Sequence, residues 1–200
     1  MKRTPFIIGI SGGSCVGKGE ISKRMINHFQ KRMGDEHVLL LSQDRYYKGG
    51  NAESNYDVPD ALNLDHLYSD IVQLKQGKSI DAPLYDFSTH SVKKETERLE
   101  SASVIIVEGI LIFCNEALRS IFDLKIFVDA DTDVMLARRI MRDISERGRT
   151  VEEVIKRYTE HVKPSYKQYI KPCKDLCDHI IRNNGNDKSA LDNLFFYYNL

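Results

Sequence analysis

A glycine-rich loop near the N-terminus gives the strongest chemical signal in the sequence. Gly12, Gly17 and Lys18 fit the start of the pattern G-x-x-x-x-G-K-[ST], which wraps around a phosphate chain. Glycines let backbone N–H groups turn towards phosphates, while the following helix N-terminus and the lysine supply positive charge. A chance glycine-rich turn is the alternative. The candidate nucleotide-binding residues are Gly12, Gly13, Ser14, Cys15, Val16, Gly17, Lys18, Gly19 and Glu20.

The loop departs from the pattern at the residue after the lysine. The pattern places a Ser or Thr there, whose hydroxyl binds Mg²⁺, whereas this chain has Gly19 followed by Glu20. Glycine offers no side-chain ligand, and it costs a helix about 1 kcal/mol relative to alanine. Glu20 could replace the missing ligand or repel the phosphates, and the sequence leaves both interpretations open. Phosphate binding is therefore predicted, with weakened metal placement.

Two carboxylates follow short apolar runs and could complete a reaction site. Asp44 could accept a proton from a substrate hydroxyl, and it could bind a metal ion together with Glu108. Taken alone, either residue would be read as a helix-capping or turn acid. Beside a glycine-loop lysine, the chemical interpretation is favoured, and both are candidate Mg²⁺ ligands.

Five arginines lie within a dozen residues of one predicted helix and its end. Transfer of a phosphoryl group is helped by cations that close over the group and neutralise its developing charge. A solvated helix face, paired with Asp143 and Glu146, is the alternative. Gly148 would let the segment hinge. The arginines are Arg138, Arg139, Arg142, Arg147 and Arg149.

The elements that would position these residues alternate between strand and helix. Such alternation predicts an α/β fold, with a parallel sheet covered by helices on both faces. Predicted strands span 6–10, 38–41, 104–107, 124–128 and 178–182. Predicted helices span 21–33, 67–77, 131–147, 150–162 and 190–198. The fourth of these begins with a capping box and is expected to stop at Pro164.

Ligands of parallel sheets bind beyond the carboxyl ends of the strands. Asp44, Glu108, Asp129 and the glycine loop all follow predicted strands, so we expect them to face one crevice. A polar stretch over 48–65 is predicted to be a loop, and residues 79–91 a hairpin.

Composition narrows the class of protein. Two hundred residues that are 42% hydrophobic favour one domain with a real core. The 29 basic and 29 acidic residues balance, which argues against a nucleic-acid binder. No apolar stretch is long enough to span a membrane, and the N-terminus does not read as a signal peptide, so a cytoplasmic location is expected. Four sparse cysteines, without metal-ligand spacing, predict reduced thiols.

The motifs, taken together, resemble the uridine–cytidine kinases of the P-loop kinase superfamily. The resemblance covers nearly the whole chain, in order. Beyond the glycine loop, the matching stretches are Ser42-Gln43-Asp44, Asn55-Tyr56-Asp57, Pro83-Leu84-Tyr85-Asp86-Phe87 with His90, Val107-Glu108-Gly109, Phe127-Val128-Asp129, Glu146-Arg147-Gly148-Arg149 and Asp178-His179-Ile180-Ile181.

The resemblance implies a three-layer α/β/α P-loop kinase fold over one domain, 1–200. It implies a substrate-binding hairpin at about 79–92 and a helical lid at about 138–160. The implied reaction transfers the γ-phosphate of ATP or GTP, with Mg²⁺, to the 5′-hydroxyl of uridine or cytidine. The expected partners are these small molecules and further copies of the chain, with no nucleic acid and no membrane.

The resemblance also implies roles for individual residues. Asp44 matches the catalytic base near Mg²⁺, and Glu108 matches a metal-site carboxylate. The matching nucleotide-binding residues beyond the loop are Arg142, Arg147 and Asp187. The matching nucleoside-binding residues are Tyr47, Asp57, Tyr85, Phe87, His90, Arg139, Arg149 and Arg157.

Five positions depart from the family pattern around the expected substrates. Arg157 stands where the family has a glutamine facing the pyrimidine, and arginine can only donate hydrogen bonds. Two alternatives stay open: a kinase with an anionic or non-pyrimidine acceptor, which Arg157 would favour, and a nucleotide-binding protein with weak or lost catalysis, which Gly19 and Glu20 would favour. The aromatic stretch 195–198 could serve an oligomer interface or the core. The departures are Gly19, Val58, Val92, Met135 and Arg157.

Overall fold

A five-stranded parallel sheet forms the centre of the computed structural model, which describes residues 4–51, 53–185, 191, 192, 194 and 195. The strands lie in the order β2-β5-β1-β6-β7, and every neighbouring pair is parallel. These strands are β1 (Phe6–Gly12), β2 (Val38–Ser42), β5 (Val104–Glu108), β6 (Leu124–Asp129) and β7 (His179–Arg182). All five predicted strands are confirmed.

Helices cover both faces of this sheet, as predicted. They are α1 (Lys18–Met33), α2 (Leu64–Lys75), α3 (Glu116–Ser120), α4 (Thr132–Arg147) and α5 (Val151–Arg157). Within the described part of the chain, none of the helices has the length and apolar character needed to cross a membrane.

The two faces of the sheet build two separate cores, because successive side chains of a strand point in opposite directions. Ile7 of β1 belongs to the core that includes α2 and α3, whereas Ile8 and Ile10 belong to the core with α1 and α4. All three isoleucines are fully buried. The central strands are therefore apolar on both sides, which explains the short unbroken apolar runs in the sequence.

A two-stranded antiparallel hairpin stands apart from the main sheet. Its strands are β3 (Ile80–Asp86) and β4 (Ser91–Leu99), so it extends seven residues beyond the predicted boundary at 92. Apart from its last residue, β4 is exposed along its length. A strand with no buried face shows no hydrophobic periodicity, and its length could not be read from the sequence.

The segment after α4 is helical for longer than predicted. Thr150 caps α5 with a capping box, since its hydroxyl accepts from Glu153 N at 3.2 Å and its own N–H donates to Glu153 Oε2 at 2.8 Å. The expected stop at Pro164 was wrong. Helical backbone continues to residue 176, with π-helical turns over Tyr158–Val162 and Tyr166–Ile170 on either side of the proline. Directly before the proline, the Lys163 N–H donates to the Tyr158 carbonyl, the i→i+5 pattern of a π-helical turn.

The prediction missed one element, and one lies largely beyond the description. The five-residue helix α3 is too short to show a helical period in sequence. The predicted helix 190–198 falls mainly outside the described residues, although 191, 192, 194 and 195 are helical. Of the aromatic stretch, only Phe195 is described, and its ring stacks on His28 with centroids 3.7 Å apart.

Candidate active site

One pocket opens at the carboxyl ends of β1, β2 and β5. The connections after β1 and β5 run in opposite directions along the sheet. The first leads to β2 at one edge, and the second leads to β6 on the other side of β1. Such a reversal leaves a crevice at the ends of the strands. The glycine loop follows β1, while Asp44 and Glu108 come from the ends of β2 and β5, and all three line the pocket. The fourth expected strand end does not: Asp129 pairs with Lys174 at 2.7 Å instead.

The glycine loop has the curled backbone that a phosphate chain requires. Cys15 and Gly17 have φ angles of 63° and 96°, in the left-handed region, and α1 starts directly afterwards without a side-chain cap. Its first N–H groups therefore point at the loop. Lys18 Nζ folds back and donates to the carbonyls of Gly12 and Gly13 at 3.1 and 2.9 Å. The ammonium group thus sits inside the curl, where an anion would meet it.

Neighbouring side chains hold the loop in this shape. Asn183 Nδ2 donates to the carbonyl of Val16 at 2.8 Å, and Arg139 Nη1 donates to Ser14 Oγ at 2.8 Å. The side chain of Val16 is fully buried in the core, so only its backbone faces the loop. These bonds preorganise the loop and reduce the entropy lost on binding.

Asp44 is positioned by a short 3-10 turn, residues Gln43–Tyr46, directly after β2. The buried amide of Gln43 accepts from Leu111 N at 2.8 Å, which ties the end of β2 to the segment after β5. Gln43 packs directly on Gly109, and a Cβ at that glycine would overlap its side chain. The sequence pairs Gln43-Asp44 and Glu108-Gly109 are therefore two halves of one junction.

The charges at this junction change each other's ionisation. Withdrawal from water raises the pKa of Asp44, with a further rise from the negative charge of Glu108 and an opposing effect from Lys18. Withdrawal from water also lowers the pKa of Lys18, against the opposing pull of Glu108 and Asp44. A carboxylate with a raised pKa is a better proton acceptor, which suits a general base.

The residues around the glycine loop offer few groups that could hold a metal ion. A Cβ at Gly19 would meet no atom within 4 Å, so the site has room for a hydroxyl that the chain does not supply. One helical turn later, Ser22 Oγ donates to Glu108 Oε2 at 3.4 Å, a contact that sequence analysis missed. Across the ranges the structure describes, no group of three acidic, His or Cys side chains forms a metal site. Two carboxylates, Asp44 and Glu108, therefore face the loop as the available protein ligands.

Glu20 does not line this pocket. Its side chain is exposed, and it borders a separate groove together with Arg24 and Asp192. The groove lies beside α1 and next to Asn183. The structure therefore gives Glu20 no place next to the two carboxylates.

Four arginines of the predicted lid segment gather around one buried carboxylate, Asp143. The nitrogen–oxygen distances are 3.5 Å from Arg139, 2.7 Å from Arg142, 3.7 Å from Arg147 and 3.4 Å from Arg149. Asp143 is 0% exposed. Burial alone would raise its pKa, but Arg142 and the other guanidiniums hold the pKa of Asp143 below its usual range. The arginines are therefore not a solvated helix face, since they line the pocket around a shared counterion.

An aromatic chamber occupies the end of the pocket away from the glycine loop. Tyr47 contacts Tyr56 and Tyr85 with ring centroids 5.5 and 5.3 Å apart, and Tyr85 contacts Phe87 at 5.1 Å. Tyr56 and His90 stack with an interplanar angle of 15° and centroids 5.2 Å apart. Phe87 is 50% exposed at the pocket edge. Flat apolar walls of this kind accept a planar ring.

Two cationic side chains, Arg149 and Arg157, line the same pocket as the chamber. Arg157 Nη2 donates to the carbonyl of Ser54 at 3.1 Å, which fixes the guanidinium beside the loop that bears Tyr56. Burial lowers the pKa of His90, and the charges of Arg149 and Arg157 lower it further. His90 is therefore neutral at pH 7, with one donor and one acceptor nitrogen.

The structure brings most of the predicted site residues together. Those that line the pocket are Ser14, Cys15, Lys18, Asp44, Tyr47, Asp57, Tyr85, Phe87, His90, Glu108, Arg139, Arg142, Arg147, Arg149 and Arg157. Gly17 and Gly19 border the adjoining groove along the loop. Asp187 lies outside the described residues.

Sequence reasoning missed four lining residues, Ser42, Tyr56, Gly109 and Ile110. Each is adjacent to, or two residues from, a residue that was singled out. Tyr56 had a usable signal, because it lies inside the Asn55-Tyr56-Asp57 motif, from which only Asp57 was given a role.

The fold and the pocket define the class of protein. A parallel sheet with a glycine loop after its first strand, and helices on both faces, is the P-loop kinase fold. Solved structures with this fold include a possible uridine kinase from Bacillus stearothermophilus, with a TM-score of 0.65, 15% identity and coverage of 90% of each chain. A D-glycerate 3-kinase from Cryptococcus neoformans has a TM-score of 0.62 and 15% identity, covering 83% of this chain and 79% of that one. At these identities the likeness concerns the fold alone.

The sequence gives the family. The chain belongs to the phosphoribulokinase/uridine kinase family, whose model matches residues 7–189. It is 41% identical over 199 residues to a uridine kinase of Lactococcus lactis, covering 96% of this chain and 94% of that protein. It is 42% identical over 196 residues to the mouse uridine-cytidine kinase-like 1, covering 94% of this chain but only 35% of that longer protein.

Proposed function

We propose that the protein is a nucleoside kinase that transfers the γ-phosphate of ATP or GTP to the 5′-hydroxyl of uridine or cytidine, as in pyrimidine salvage. One observation carries the proposal: a single pocket joins the glycine loop and two carboxylates to an aromatic chamber. The first part suits a triphosphate and the second a nucleoside base. The similarity to proteins named uridine kinase supports the same acceptor.

The residues divide the work along the pocket. Asp44, with its raised pKa, accepts the proton of the 5′-hydroxyl as that oxygen attacks the γ-phosphate, while the bond from the γ-phosphorus to the bridging oxygen breaks and the nucleoside diphosphate leaves. Lys18 and the N-terminus of α1 hold the phosphate chain, and the lid arginines neutralise charge that develops on the transferred group. Asp57 lines the pocket and its charge acts on both Asp44 and Tyr47. It suits the ribose hydroxyls, because a carboxylate can accept from two neighbouring hydroxyls.

The available ligands fit a nucleotide-bound Mg²⁺ in part. Asp44 and Glu108 supply the oxygen ligands that Mg²⁺ prefers, and Mg²⁺ commonly keeps several waters alongside one or two carboxylates and the phosphates. The open space at Gly19 is where the pattern has a hydroxyl. When bound, the ion would neutralise phosphate charge.

The proposal further takes the protein to be cytoplasmic and to act on small molecules, without nucleic acid or membrane, as a homo-oligomer. All four cysteines are free thiols, which suits a reducing compartment. Size measurement in solution tests the oligomeric state.

The decisive test is phosphate transfer by the purified protein to a panel of nucleosides, with and without Mg²⁺. The expected result is Mg²⁺-dependent formation of the 5′-monophosphate from uridine or cytidine. Turnover of a sugar phosphate but of no nucleoside would assign the protein to the other acceptor class. Folded protein that turns over no acceptor at all would favour a nucleotide-binding protein without catalysis.

Gly19→Ser tests whether the incomplete metal site limits the rate. The new side chain enters open space, and serine suits a helix better than glycine, so a rise in melting temperature of about 1–2 °C is expected. We expect the variant to raise Mg²⁺-dependent kcat/KM about tenfold, because the hydroxyl adds a ligand beside the phosphates. Gly19→Ala is the matched control, since it adds stability without a ligand. Equal rates for the two variants would show that the hydroxyl is not what the site lacks.

A further inference from the structure

The polar groups of the pocket that holds the chamber include two with donors only. These are the guanidiniums of Arg149 and Arg157, which line the pocket together with His90, the phenols and Asp57. Both are fixed: Arg149 Nη1 bonds Asp143 Oδ2 at 3.4 Å, and Arg157 Nη2 bonds Ser54 O at 3.1 Å. A rigid donor is selective, because it cannot turn away from a group that does not accept.

Arg157 stands beside the stacked pair that forms one wall of the chamber. Tyr56 OH donates to Asn51 O at 3.0 Å, and Ser54 N donates to the same carbonyl at 3.1 Å, so Tyr56 and Ser54 belong to one closed turn. Since Arg157 bonds that turn and its charge acts on His90, its guanidinium lies next to the Tyr56–His90 stack. The edge of a ring bound in the chamber therefore lies within reach of this cation.

The two pyrimidine bases differ in what they present along their base-pairing edge. At position 4 uracil carries a carbonyl oxygen, which accepts, whereas cytosine carries an amino group, which donates. At N3 the roles are reversed, so the base selected by an arginine depends on which of the two positions it faces. An arginine facing the carbonyl makes a charge-assisted bond, but facing the amino group it leaves two donors opposed and unsatisfied. Glutamine, which has both an acceptor and a donor, could serve either base.

We propose that Arg157 faces position 4 of a bound pyrimidine and is a specificity-determining residue that selects uridine over cytidine. The proposal rests on the proposed function, because it assumes that a nucleoside occupies the chamber. Its charge is built into the pocket wall, with Arg149 as a second donor-only neighbour. The wild-type protein is expected to favour uridine over cytidine about tenfold or more, in both binding and kcat/KM.

Three variants test the role of this residue. Arg157→Gln is expected to lower the uridine-to-cytidine ratio about tenfold, mainly by improving cytidine. Arg157→Lys keeps a donor-only cation and is expected to retain the preference, which a merely structural contribution would not predict. Lys156→Gln removes the same charge from the adjacent, exposed position outside the pocket, and it should leave the ratio unchanged.

The measurements are calorimetric binding of each nucleoside and kcat/KM for each, so that weak turnover does not hide the selectivity. Equal binding of uridine and cytidine by the wild type, or an unchanged ratio in Arg157→Gln, would overturn the inference while leaving the kinase proposal intact. Binding of neither nucleoside would overturn both. Preference for uridine that Arg157→Gln relaxes supports it.

Discussion

Replacing Asp44 by asparagine is expected to lower kcat by about a hundredfold to ten-thousandfold, the usual contribution of a positioned general base. Asparagine has nearly the same shape but cannot accept the proton of the attacking hydroxyl. Its backbone N–H, which donates to Ser42 Oγ at 3.3 Å, is unaffected, so the turn that positions it should persist. The rate is measured by steady-state phosphate transfer, with nucleoside binding measured separately by calorimetry.

Asp60→Asn is the matched control, because this aspartate is exposed and does not line the pocket. It should leave kcat unchanged. If Asp44→Asn bound both substrates normally and still turned over at the wild-type rate, Asp44 would not be the base. A parallel loss of Mg²⁺ dependence would show that Asp44 also holds the metal ion.

The second large effect is expected from Asp143→Ala, in stability rather than rate. The change leaves four guanidiniums around a buried cavity without their carboxylate. Breaking a buried ion pair from one side costs about 3–5 kcal/mol, so the melting temperature should fall by roughly 6–20 °C. Thermal unfolding measures the loss. Glu146→Ala, which removes an exposed carboxylate from the same helix, should shift it little.

A bound polyanion gives this prediction a second readout. Phosphates would supply the missing negative charge, so ATP should raise the melting temperature of Asp143→Ala more than that of the wild type.

The pH dependence of the stability that Asp143 contributes has a definite sign as well. Because the pKa of Asp143 is lowered in the folded protein, its contribution is present above the ordinary aspartate range and is lost as the pH falls through the lowered folded-state pKa. A variant as stable as the wild type at pH 7 would contradict the role given to this carboxylate.

The order of strands and helices was predictable because each central strand is apolar on both faces and each is followed by a polar break. The pocket was predictable for a related reason: the glycine loop, Asp44 and Glu108 all follow such strands, and the carboxyl ends of parallel strands share one edge. Asp129 also follows a strand, but the prediction that it faces the pocket was wrong, because it pairs with Lys174. That lysine comes from a segment whose position depends on tertiary packing.

Features without a local signal could not be predicted. The exposed β4 has no apolar face to mark its length. Pro164 predicts a break, although helical backbone with π-helical turns continues on both sides of it. The spacing of the lid arginines fits a ligand-facing cluster and a solvated helix face equally well. Nothing in that spacing reveals that Asp143 is fully buried among them. Burial of a charge is decided by what packs over it, which the sequence does not state.

The shared counterion has a consequence for how this pocket can evolve. If one of the four arginines is replaced, Asp143 keeps three partners, and the fold loses little stability. If Asp143 is replaced, all four arginines lose their shared carboxylate. The effect of mutation on stability is therefore distributed unequally: loss of a single one of these arginines is tolerated, and loss of the carboxylate behind them is not. During evolution the arginines that face the ligand can therefore be exchanged one at a time, while selection for stability retains Asp143.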